Sequence, residues 1–269
     1  MKNLNVPAKS RGVVLFAFNT DTVNYVAIAD QSARLIHHTL NLPVTLITDK
    51  ETITWHIDQT FTVDNDLANV RKGYANLTQW RNGNRYQAYE LSPYDETLLI
   101  DSDYLMLDQS LLKLFDVAQD YQIMGSNKFL KAVSPTLMST TSISQVWATA
   151  IVFKRTLKSQ QLFSLVGRIQ RNYDYYRRLY NITATNFRND FAFAIANNII
   201  NGYIEDNLIP WTMLTVENPV VNIAPTSNGL IVRENSQAYL IPRQNLHIID
   251  KDYLTSKKFV ELVNHICQE

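Results

Sequence analysis

The stretch ETLLIDSDYLMLD, residues 96–108, sets Asp101 and Asp103 one residue apart between two apolar runs. Burying such a pair is costly unless something cationic balances it. Two carboxylates on one extended edge suit a hard divalent cation, Mg²⁺ or Mn²⁺. Such an ion prefers oxygen ligands and keeps positions open for water and substrate phosphates. The alternative is a turn whose aspartates cap backbone N–H groups, although turns rarely sit between two apolar runs of this kind. Asp-x-Asp recurs twice, as Asp64 and Asp66 in TVDND and as Asp250 and Asp252 in HIIDKDYL. The first of these follows an alternating, half-polar stretch, as an ordinary turn does.

The elements that must position the pair can be read from periodicity. GVVLFAF (12–18) suits a strand buried on both faces. Apolar residues then recur at helical spacing through Val26, Ala29, Ala33, Ile36 and Leu40, with Asp21 as a possible N-cap and Pro43 as the stop. PVTLITD (43–49) is a second buried strand. Strand, helix, strand is a βαβ unit, for which parallel pairing is the default. Ligands of such sheets sit at the carboxyl ends of the strands, which places Asn19, Thr20 and Asp49 on a binding edge.

Residues 52–83 read as mixed strand and loop broken by Gly73 and Gly83, and 85–91 as a short helix. TLLI is a third buried strand, YLML an extended continuation and 145–154 another strand. A long helix is expected over roughly 156–180, and a shorter one over 188–200 closed by Gly202. Short strands follow near 213–223, 229–233 and 238–241, then a terminal helix near 255–267. The expectation is an α/β chain of one domain, a mostly parallel central sheet flanked by helices.

At 269 residues and 46% hydrophobic, the chain can bury a large core. Lys+Arg and Asp+Glu both number 25, so no global field recruits nucleic acid or an anionic membrane. None of the 7 glycines falls in GxGxxG or GxxxxGK[ST], which removes most support for a glycine-rich phosphate loop. The one cysteine, Cys267, permits no disulfide within the chain and no cysteine metal cluster. With no signal-like start and no run of membrane-spanning length, a cytoplasmic protein is expected.

LSPYDETLLIDSDYLML (91–107) resembles the core signature of GT-A glycosyltransferases, a Rossmann-like fold, and in particular the branch containing glycogenin and the bacterial lipopolysaccharide galactosyltransferases. The resemblance implies Mn²⁺ or Mg²⁺ gripping the diphosphate of a nucleotide-sugar donor, a UDP-sugar, with retaining transfer to an unidentified hydroxyl. Asp101 would then lie towards ribose and metal, and Asp103 would be the main metal ligand. Phe18, Asn19, Thr20 and Asp49 would hold the nucleoside, and Arg85, with Arg81 second, would contact the nucleotide.

In VWATAIV, Trp147 and Thr149 would face the donor sugar, although Ala148 or Thr149 replaces the usual Asn and Ala150 the usual Gly. RNDFAFAIANN gives Asp190 the role of the carboxylate beside the reacting sugar, with Arg188 in place of the motif's first acid. HIIDK offers His247 as third metal ligand and Lys251 on the phosphates, without the motif's glycine or proline. A lone His beside two isoleucines is otherwise a hydrogen-bonded core residue, but two carboxylates alone underfill a coordination shell. His37, His38, His56 and His265 read as structural.

GRIQRNYDYYRRLYNITATNFRND (167–190) interleaves five arginines with four tyrosines. That mixture suits either a nucleic-acid acceptor or a solvated helix with a buried aromatic face, and the balanced charge favours the helix. Two other classes compete with transfer. Sugar-phosphate nucleotidyltransferases need a glycine-rich basic loop after the first strand, which FAFNTDTVNY lacks. A sugar-nucleotide-binding protein without turnover needs nothing the sequence omits.

Overall fold

The computed structural model describes residues 10–64, 69–72, 77–132, 134–135, 141–204 and 207–268. Asp66, Gly73 and the start of the chain through residue 9 lie outside these. β1 (Arg11–Phe16), α1 (Tyr25–Leu40) and β2 (Val44–Thr48) form the expected parallel βαβ unit, with Val13 opposite Val44. Asn24 caps α1, not Asp21: its side chain accepts the Ala27 N–H at 3.0 Å, and Thr20 to Val23 close a turn ahead of the helix. β3 (Gln59–Thr62) extends the sheet beyond β2, and β4 (Asn69–Lys72) and β5 (Leu77–Trp80) form a separate hairpin. A 3-10 turn over Asn82–Gln87 and the short α2 (Ala88–Leu91) stand where one helix was expected.

β6 (Glu96–Asp101) and β7 (Tyr104–Leu105) flank the acidic pair. α3 (Leu112–Val117) and β8 (Tyr121–Phe129) follow, and the sequence reading anticipated neither. β9 (Trp147–Lys154) leads to α4 (Leu157–Arg171) and α5 (Tyr173–Leu179). The single helix expected there breaks at Asn172, whose N–H and side-chain amide both donate to the Arg168 carbonyl, at 3.2 and 2.9 Å. α6 (Asn189–Ile200) and β10 (Leu208–Val216) come next. Pro219 separates β10 from β11 (Val220–Thr226), so the strand expected near 213–223 is two. β11, β12 (Gly229–Glu234) and β13 (Gln237–Ile241) form a small antiparallel sheet, before β14 (Leu246–Ile248), α7 (Lys251–Leu254) and α8 (Lys257–Ile266).

The main sheet runs β3-β2-β1-β6-β9-β8-β10-β14-β7, mostly parallel, with β9 and β7 reversed. β6 lies mid-sheet and β7 at its far edge, yet only Ser102 and Asp103 connect them. The sheet must therefore curl until β14 and β7 return beside the end of β6. Asp101 and Asp103 span that seam. This geometry is why carboxylates interrupt two apolar runs.

Alternation along the central strands feeds two cores. Val14, Phe16 and Leu99 face α4 and α6, while Val13, Leu15, Leu98 and Ile100 face α1 and α3. The opposite side of α1, through Ile28 and Leu35, packs with Leu105, Leu246, Phe259 and Leu262 in a third cluster. No helix among the described residues is long and apolar enough to cross a membrane. The tyrosines of the Arg–Tyr segment divide: Tyr173 and Tyr180 are core, Tyr175 is exposed, and Arg177 and Arg178 both pair with Asp174.

Gly12 in β1 lies under the ring of Tyr94, which is buried and whose hydroxyl is 2.8 Å from Thr45 Oγ1. A Cβ there would overlap the ring. Gly12→Ala is expected to destabilise the protein by about 1–3 kcal/mol, read as a lowered denaturant midpoint at unchanged slope.

Candidate active site

The strands β1, β2, β6, β8, β10 and β14 all point the same way, so their carboxyl ends meet on one edge with the start of β9. Asp101 is the last residue of β6, paired with Phe16 of β1. The Arg85 guanidinium, almost fully buried on the 3-10 turn, donates through Nη1 to Asp101 Oδ1. Arg85 Nε and Nη2 are buried without hydrogen-bond partners among the described residues. Burial pushes the Asp101 carboxyl above its ordinary value, against the pull of Arg85 and with the help of Asp103.

Asp103 leaves the seam beside β14, its carbonyl accepting the Ile248 N–H at 3.0 Å. Ser32 of α1 donates to the carbonyl of the intervening Ser102, which fixes the turn from the helix side. Asp103 Oδ2 accepts a hydrogen bond from Lys251 Nζ. Asp103 Oδ1 is buried and has no hydrogen-bond partner among the described residues, and His247 Nε2 stands 3.6 Å from it. That separation is too long for a hydrogen bond. Burial alone would raise the Asp103 carboxyl, but the charge of Lys251, joined by His247 only when its ring is protonated, overrides it and holds Asp103 well below the usual carboxylate range. The same attraction outweighs burial at Lys251, whose ammonium is raised.

His247 is nearly buried on β14, opposite Tyr104 of β7, and its Nδ1 lies 3.1 Å from Thr215 Oγ1 of β10. Lys251 opens α7, a turn capped by Asp250. The Asp250 carboxylate accepts from the Asp252 and Tyr253 N–H groups at 3.0 and 3.2 Å, and from Val220 at 2.6 Å. The third Asp-x-Asp is thus a cap, which places the lysine. Among the described residues no group of three or more His, Cys, Asp or Glu side chains stands close enough to hold a metal ion. Asp103 and His247 come together as a pair, while Asp101 is turned to Arg85.

Asp190, in the first turn of α6, bonds a neighbouring strand: Oδ1 accepts the Ala148 N–H at 2.9 Å. Its Oδ2 takes Arg188 Nε at 3.1 Å and Nη2 at 3.0 Å, so the arginine replacing an acid is the partner of the acid that remains. Ile100 pairs with Ala150, the last pair of that register, and Thr149, the residue before Ala150 on β9, is buried. Trp147 begins β9, half-buried and edge-on to Phe129 with ring centroids 6.4 Å apart. Phe18 is a core residue packed on Phe16. Asn19 accepts the Val26 N–H at 3.0 Å and Thr20 the Val23 N–H at 3.0 Å, so both side chains shape the loop into α1. Asp49 follows β2 and pairs with Arg81 at 3.3 Å. Sequence reasoning missed Ser32, Asn127 and Thr215, polar groups buried on elements whose pattern reads as purely structural.

No family model and no curated protein matches the sequence. Solved structures do. The galactosyltransferase LgtC in complex with donor and acceptor sugar analogs shares 12% identity over 94% of this chain and 95% of that one, with a TM-score of 0.54. An LgtC active-site mutant gives 11%, 96%, 95% and 0.54. The chain has the fold of LgtC. The α/β architecture with a mostly parallel, Rossmann-like sheet expected from the sequence is therefore the one found. GlyE of Streptococcus pneumoniae TIGR4 is similar over 77% of this chain at 11% identity and a TM-score of 0.44. This chain spans 45% of the length of GlyE.

Proposed function

We propose that the chain is a glycosyltransferase that takes a nucleotide-sugar, a UDP-sugar in the first instance, and moves its sugar to a hydroxyl acceptor with retention. The fold shared with LgtC supports this reading. The observation that carries it is the buried Asp103 Oδ1, without a hydrogen bond among the described residues, facing His247 Nε2 across 3.6 Å, beside Lys251, at the carboxyl-end edge. Ligand atoms about 2.1 Å from one cation stand about 3–4 Å from each other, so the gap fits a shared Mn²⁺ or Mg²⁺. Asp103 and His247 would hold it, with water or diphosphate oxygens completing the shell, and Asp101 would join as third ligand only by turning from Arg85. When bound, such an ion offsets the charge that develops on the leaving diphosphate.

The remaining groups have work that their positions suit. As the bond from the anomeric carbon to the diphosphate breaks and the bond to the acceptor oxygen forms, the hydroxyl proton would pass to the departing diphosphate oxygen, which lies on the same face under retention, and the sugar must be held still. Asp190, its carboxylate pinned by Arg188 and the Ala148 N–H, is suited to the sugar side, with Thr149 and Trp147 beside it. Arg85 fixes Asp101, and its Nε and Nη2 donors are without hydrogen-bond partners among the described residues. Lys251 is placed to pass from Asp103 to the diphosphate. Phe18, Asn19, Thr20 and Asp49 line the edge where the nucleoside would lie.

The test is a panel of nucleotide-sugars with and without Mn²⁺, followed by free nucleoside diphosphate and by thermal shift. A ligand at 100 times its Kd adds about 2.7 kcal/mol to the folded state. Release with a UDP-sugar only when the cation is present is the expected result. Stabilisation by donors without release would identify a binding protein instead, and no response to any donor would sink the reading.

A further inference from the structure

Resting on the reading that a cation binds between Asp103 and His247, we propose that Thr215 and Asn127 are positioning residues that set which ring nitrogen of His247 faces it. The three residues come from adjacent strands: Asn127 from β8, Thr215 from β10 and His247 from β14, with Met213 opposite Asn127 and Thr215 opposite His247 in the ladders. Asn127 and Thr215 are fully buried, so water cannot substitute for their bonds. Thr215 Oγ1 lies 2.6 Å from Asn127 Oδ1 and 3.1 Å from His247 Nδ1.

A hydroxyl has one proton to give. The 2.6 Å separation is that of an O–H···O bond and is short for an amide N–H···O, so the proton of Thr215 goes to Asn127. The bond at 3.1 Å then has Thr215 Oγ1 accepting, and His247 donating from Nδ1. In the neutral ring this leaves Nε2 bare, and it is Nε2 that faces Asp103 Oδ1. Two acceptor atoms turned towards each other are what a shared cation requires and what an isolated His–Asp hydrogen bond forbids. A metal-binding histidine held through its other nitrogen is oriented and kept in one tautomer by that bond. With the Asn127 amide reversed, its NH₂ would donate to Thr215, Thr215 to Nδ1, and His247 would present Nε2–H to Asp103. The two arrangements differ in where a single proton sits.

The decisive measurement needs no variant. Long-range ¹H–¹⁵N correlation on ¹⁵N-histidine-labelled, metal-free protein, with the ring neutral, should show His247 Nδ1 protonated and Nε2 unprotonated. Thr215→Val should remove that preference and weaken Mn²⁺ binding, followed by electron paramagnetic resonance, by about 10–100-fold. Thr215→Ser should restore both. An Nε2–H tautomer in the unmodified protein overturns the proposal, as does a Thr215→Val protein with unchanged tautomer and Mn²⁺ affinity. If the tautomer is as proposed and shifts in Thr215→Val while the unmodified protein binds no Mn²⁺, the relay stands and the metal reading falls.

Discussion

Asp103→Asn is expected to lower the release of nucleoside diphosphate from donor by about 10³-fold, equivalent to about 4 kcal/mol of barrier, while the protein stays folded. Asparagine keeps the shape of the side chain and removes the charge that holds Lys251 at this point and that a cation would share with His247. A neutral amide oxygen is a poor ligand for a hard divalent ion, so Mn²⁺ binding should fall with turnover. Stability should change less, because Lys251 retains partial access to water and can turn outward when its partner is gone. Asp116→Asn is the matched control. It removes one exposed carboxylate, bonded to Arg11 at 2.8 Å, from the rim of the second core, and should leave release unchanged. Full release by Asp103→Asn would mean that the acidic pair is not where the diphosphate is held.

How much of this was legible beforehand follows from which signals are local. β1, α1, β2, β6 and α6 were readable because each carries its own periodicity or an unbroken apolar run, and together they define the edge on which Asp101 falls. β8 was not. YQIMGSNKF mixes Gly125, Ser126, Asn127 and Lys128 into its second half, and it is a strand because β9 and β10 pair with it on either side. The curl was also hidden in the sequence, being a consequence of sheet order: two residues joining the middle of a nine-stranded sheet to its far edge is a statement about β14 and β7. The acidic pair itself was legible as an anomaly, since buried carboxylates are rare without partners. Arg85 and Lys251 prove to be those partners, yet they come from 16 residues before Asp101 and 148 after Asp103. Spacing does not carry separations of that kind. The Thr215–Asn127 bond had no trace at all, because a polar residue in a strand usually marks a solvated face and here marks a buried bond.

Lys251→Met is expected to lower stability by about 2 kcal/mol in the absence of divalent cations, and to make the protein more responsive to Mn²⁺ than the unmodified chain. The figure lies between exposed ion pairs, worth up to about 1 kcal/mol, and buried ones, where loss of one partner costs about 3–5 kcal/mol. Asp103 and Lys251 sit between those limits, at 14% and 21% side-chain exposure. Methionine fills the volume of the lysine stem and leaves the buried Asp103 carboxyl facing His247 with no ammonium beside it. In the unmodified protein, Lys251 already occupies one oxygen of the carboxylate that a cation would use, so ion and lysine compete and the ion has only Oδ1 uncontested. Removing the lysine removes the competitor. Mn²⁺ alone should therefore raise the melting temperature of Lys251→Met more than that of the unmodified protein. Donor should bind the variant more weakly, because the ammonium that ought to move onto the diphosphate is gone. These two effects have opposite signs, which separates competition from simple damage to the site: damage would weaken both ligands together. A Lys251→Met protein that loses affinity for Mn²⁺ as well as for donor would show that the lysine supports the carboxylate in place, and that nothing exchanges at Asp103 when substrate arrives.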